Sequence, residues 1–61
     1  MATHEDYDHV SDILYYNGIN AIEYNIPEIT EQLMEKYGVF SALDVADEDI
    51  VAAAKAANPL F

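Results

Sequence analysis

The strongest alternation of apolar and polar positions lies in NIPEITEQLMEKYG, residues 25–38. Ile26, Ile29, Leu33 and Tyr37 recur at spacings of three and four, and Met34 widens the stripe. That period lines up one helix face for burial. The ends agree. Asn25 is a capping residue type with Glu28 three positions on, Pro27 falls in the first turn, and Gly38 suits a left-handed helix end. The polar positions form a second row, Glu28, Glu31 and Glu35 at i, i+3 and i+7. Lys36 does not neutralise this row within the helix, because Gln32 and Leu33 occupy its i−4 and i−3 positions.

A similar pattern opens the chain. Tyr7, Val10 and Leu14 repeat at three and four with Ile13 beside them, predicting a helix over residues 4–16. Thr3 is its expected N-cap, with Asp6 in the capping-box position, and Asn17-Gly18 its end. Its outer edge carries Glu5, Asp8 and Asp12, again at i, i+3 and i+7. A rival reading makes Asn17-Gly18 a hairpin turn between DILYY and INAIEY, which would give an α+β fold. In that register Asp12 faces Glu23, and a lone hairpin is marginal without a third strand. Helix is the favoured reading.

Ile19, Ile22 and Ile26 keep helical spacing, but Pro27 disfavours helix at Ile26. A short turn capped by Asn20, then a bend, is expected over residues 19–24. Residues 39–46 read as a connection anchored by Val39, Phe40, Leu43 and Val45, with Ser41 and Asp44 capping a single turn. Asp47 is the expected cap of a last helix, whose core face is Ile50, Val51 and Ala54. Its acids lie early and Lys55 late, as the helix dipole favours. Asn58-Pro59 stops it, and the Leu60-Phe61 tail either folds onto the core or docks in a partner. The prediction is an all-α single domain, residues 1–61, of three main helices with a short extra helical turn.

Composition narrows the partner. The chain has 61 residues, no cysteine and 52% apolar residues, so disorder is disfavoured and no disulfide or thiolate metal site is available. Twelve acids face two lysines, for a formal charge of −10. Direct nucleic-acid binding through phosphates needs the opposite sign, and anionic membranes are disfavoured for the same reason. A basic protein partner is favoured, with long-range attraction speeding the encounter. The N-terminus lacks a signal-peptide pattern and no apolar run approaches about 20 residues. The expected location is the cytoplasm.

No pattern points to catalysis. Ser11 and Ser41 have no motif around them, and no carboxylate pair stands out as acid and base, so an enzyme is not expected. His4 and His9 sit at i, i+5 and do not converge. They read as surface pairs, His4 with Asp8 and Glu5 with His9, rather than a metal site. Asp44, Asp47 and Asp49 lack the spacing and the glycine of a calcium loop. Neither metal nor cofactor is expected. Five tyrosines are many for this length, and one helix face does not hide Tyr15 and Tyr16 together. Tyrosine is enriched in binding hot spots.

The expected function is stoichiometric binding of a basic partner through Glu5, Asp8, Asp12, Glu28, Glu31 and Glu35, with Tyr15 and Tyr16 as anchors. In size and charge the chain resembles small DNA-mimic inhibitors, often encoded by phages. That resemblance implies blockade of a nucleic-acid-binding protein, in the host cytoplasm if the chain is phage-encoded. The alternative is a helical assembly module, a homodimer or subunit, that binds through its apolar surface.

Overall fold

The first helix begins where Thr3 and Asp6 form a capping box, and it runs His4–Tyr16 (α1) in the computed structural model, which describes residues 2–57. A second helix spans Ile26–Tyr37 (α2) and a third Asp47–Ala56 (α3), with one-turn 3₁₀ segments at Ala21–Glu23 and Ala42–Asp44. The first two helices end at glycines the sequence supplies for the purpose. Ile19 N–H bonds Leu14 C=O across Gly18, whose φ is 74°, and Val39 N–H bonds Met34 C=O across Gly38, whose φ is 64°. This paired closure uses the positive φ that glycine adopts without a Cβ penalty. Gly18 therefore ends a helix, and the hairpin reading is set aside: among the described residues there is no strand.

Asn20 and Asn25 cap as expected, their side chains accepting from Ile22 N–H at 3.3 Å and Glu28 N–H at 3.2 Å. Ser41 likewise accepts from Leu43 N–H at 3.2 Å. The expectation for Asp47 is corrected. It is the first residue inside α3, and Ala46 holds the cap position with no side-chain bond. Asp47, Glu48 and Asp49 thus all sit in the first turn, where their charges complement the exposed N–H groups.

The core joins Val10 and Leu14 of α1, Ile29, Leu33 and Met34 of α2, Ala42 and Val45 of the second connection, and Ile50 and Ala54 of α3. α1 touches α2, α3 and both 3₁₀ turns, so it is the element that the others pack around. The radius of gyration, 10.1 Å, is close to the roughly 10.5 Å of a folded chain this long.

Several apolar assignments are corrected. Tyr37 is 42% exposed rather than buried, because its ring lies past the last full turn of the stripe. Phe40 is 97% and Leu43 55% exposed, so neither anchors the connection, and Ala42 fills that place. Ile22 is exposed, since its 3₁₀ turn does not continue the helical period. Thr30, unforeseen, is fully buried, and its hydroxyl donates to Ile26 C=O at 2.7 Å. That back-bond satisfies the one polar atom on the buried face. The Leu60-Phe61 tail and the Asn58-Pro59 stop lie outside the described residues. No helix among those described is long and apolar enough to cross a membrane.

Candidate binding surface

Each acid of the two expected rows is exposed: Glu5, Asp8 and Asp12 on α1, and Glu28, Glu31 and Glu35 on α2. Their exposure follows from the helical period, which turns them away from Val10 and Leu14 in one case and from Ile29 and Leu33 in the other. One hydrogen bond ties the segment before α1 to the α2 row: Ala2 N–H donates to Glu31 Oε1 at 3.1 Å. The start of the chain is thereby held against the middle of α2.

The rows differ in what they already do. Glu28 Oε1 accepts from Gln32 at 3.3 Å and Glu28 Oε2 from Asn25 at 3.3 Å, so this acid helps to close the α2 N-terminus. Glu31 holds Ala2. Among the described residues, Glu5, Asp8, Asp12 and Glu35 accept no side-chain hydrogen bond, and no lysine or histidine lies within 4 Å of a carboxylate. The expected pairs of His4 with Asp8 and Glu5 with His9 are therefore not formed. His9 instead turns Nε2 into the protein, where that atom is buried and has no hydrogen-bond partner among the described residues. Lys36 Nζ lies 5.4 Å from the centroid of the Tyr37 ring, and so is engaged by a face of its own helix.

Tyr15 and Tyr16 both project from the last turn of α1, 75% and 80% exposed. Their rings meet edge to face with centroids 5.9 Å apart, a favoured aromatic geometry. With exposed Ile22 in the following 3₁₀ turn, that end of α1 presents large apolar groups to solvent.

Asp6 forms the expected capping box with Thr3, but its burial and its bonds to the distant Ser41 and Ala42 were not foreseen. It is 3% exposed on the inner edge of α1. Its Oδ2 accepts from Thr3 N–H at 2.8 Å and from the Thr3 hydroxyl at 3.1 Å. Its Oδ1 accepts from the Ser41 hydroxyl and from Ala42 N–H, both at 2.9 Å. The carboxyl is lowered from 3.8 to about 2, chiefly by the Thr3 and Ala42 backbone N–H groups, against an opposing effect of desolvation. One signal was available: Asp6, Val10 and Leu14 are successive i, i+4 positions, so Asp6 lies on the buried stripe.

Asn17, Asp47, Glu48, Val51 and Lys55 line a shallow hollow where the end of α1 meets α3. A second groove runs between α2 and α3, with Gln32, Lys36 and Tyr37 on one wall and Asp49, Ala52 and Ala56 on the other. Neither gathers convergent acid–base groups, and no cluster of three metal-ligating side chains occurs among the described residues. The chain matches no known family model, and no curated protein or solved structure is detectably similar to it.

Proposed function

We propose that this protein is a non-enzymatic, stoichiometric binder of a basic protein, and that it occupies the partner's cationic surface with its own carboxylates. The observation that carries this reading is the exposure of Glu5, Asp8, Asp12 and Glu35 with no cation or donor engaged among the described residues. Carboxylates satisfied by their own protein have little to offer a partner; these have their full charge to offer. Tyr15 and Tyr16 supply adjacent apolar area. Where the partner binds nucleic acid through the same cations, occupancy blocks it, in the manner of a DNA mimic. The cytoplasm, a host's for a phage-encoded chain, is the compartment where such a target would be met.

The test is capture of the partner from the source cell, followed by binding measured across ionic strength and in competition with DNA. Affinity that falls steeply with salt and is lost to DNA supports the proposal. A binding constant flat across salt rejects it. A second reading, assembly through apolar surface, is favoured by the exposure of Tyr15, Tyr16, Phe40 and Leu43. It requires a melting temperature that rises with protein concentration.

A further inference from the structure

Phe40 and Leu43 are displayed by a connection that is fastened on either side of each. Val39 N–H bonds Met34 C=O at 3.1 Å, and Asp44 and Val45 N–H bond Ser41 and Ala42 C=O at 3.1 Å each. Ser41 and Ala42 are tied to the buried Asp6 of α1. Ala42 and Val45 point into the core, so the backbone between them is fixed with Leu43 facing out. Phe40, at 97% exposure, gains nothing from the fold it sits on. Preorganised display of this kind lowers the ordering cost of binding.

The surroundings decide what covers it. In the chain Glu35 precedes this stretch and Asp44, Asp47 and Glu48 follow Leu43, and all four residues are exposed. A second copy would bring the same acids and another charge of −10 to the contact. We infer that Phe40 and Leu43 are the apolar anchor for a basic protein whose own apolar pocket is rimmed by lysine or arginine. This rests on the acidic binding reading above and adds to it the residues that carry affinity at high salt.

The test uses two peptides on the full chain: a short helix with leucines along one face and lysines along the other, and polylysine. The mixed peptide should bind more tightly, move the amide resonances of residues 39–45, and lose about tenfold or more in affinity in Phe40→Ala. Polylysine binding should be the same in Phe40→Ala as in the parent. Equal affinity for both peptides, untouched by Phe40→Ala, would overturn the anchor and leave the acidic surface standing. Failure of polylysine to bind at low salt would overturn the acidic surface, and the basic partner with it. A dimer that dissociates in Phe40→Ala would assign the patch to a second copy. A fall in the melting temperature of Phe40→Ala would show that the ring serves the fold; either result overturns the proposal.

Discussion

The inner and outer edges of α1 carry the same chemical group and put it to opposite uses. Asp6, on the inner edge, spends both carboxylate oxygens on four hydrogen bonds that join the helix start to the connection at Ser41 and Ala42. Glu5, Asp8 and Asp12, on the outer edge, have no such partner among the described residues. Glu5 and Asp6 are adjacent in the chain, but the helical turn of about 100° per residue places them on different surfaces. Acidity alone therefore says little about what a carboxylate does in this fold; the side of the helix decides whether it is buried and bonded or exposed.

The sharpest way to break that contrast is Asp6→Ala. It leaves Ala42 N–H and the Ser41 hydroxyl without their acceptor, and Ala42 is fully buried. The melting temperature should fall further than for any outer acid, and hydrogen exchange at Ala42 should lose its protection. Asp6→Asn keeps the shape and one acceptor, and should fall between.

Acid titration reports on the inner edge. Asp6 has a folded value of about 2 against an ordinary 3.8. A depressed carboxylate stabilises the fold fully above the unfolded value and loses that contribution as pH falls through the folded one. The stability gap between the parent and Asp6→Asn should thus be widest above pH 3.8 and close as pH falls towards about 2. Thermal melts across that window check it.

His9 offers a third case on the same helix: a buried polar atom, like those of Asp6, but without a partner among the described residues. His9→Leu should raise stability by about 1 kcal/mol, since the orphaned nitrogen is removed with similar volume retained. A melt of that variant decides the point. The smallest effect belongs to the outer row. Neutralising Glu5, Asp8 and Asp12 to glutamine or asparagine should change stability by no more than about 0.5 kcal/mol, read by denaturant unfolding. A large loss there would erase the contrast.

Most of the architecture was legible because it rests on periodic signals. The stripes at Val10 and Leu14, and at Ile29, Leu33 and Met34, have the spacing that helix geometry requires, and Gly18 and Gly38 mark ends that need positive φ. The exposed rows were legible as the complement of those stripes. What was not legible lies where period fails or polarity misleads. Phe40 and Leu43 sit in an aperiodic connection, so their hydrophobicity alone suggested burial. Asp6 and Thr30 lie on the buried stripes but are polar, and only a bonding partner distant in sequence, or a carbonyl one turn back, explains them. Asp47 and Ala46 differ by one position, a shift that propensity does not resolve.

Glu28 and Glu31 already serve the fold, so the cleanest probes of the outer surface are the acids with no internal partner. The most direct measurement is polylysine binding to a variant with Glu5, Asp8, Asp12 and Glu35 all reversed to lysine, with its melt recorded on the same sample. The account predicts a melt close to the parent's and binding abolished. Binding that persists, or a fold that collapses, would contradict it.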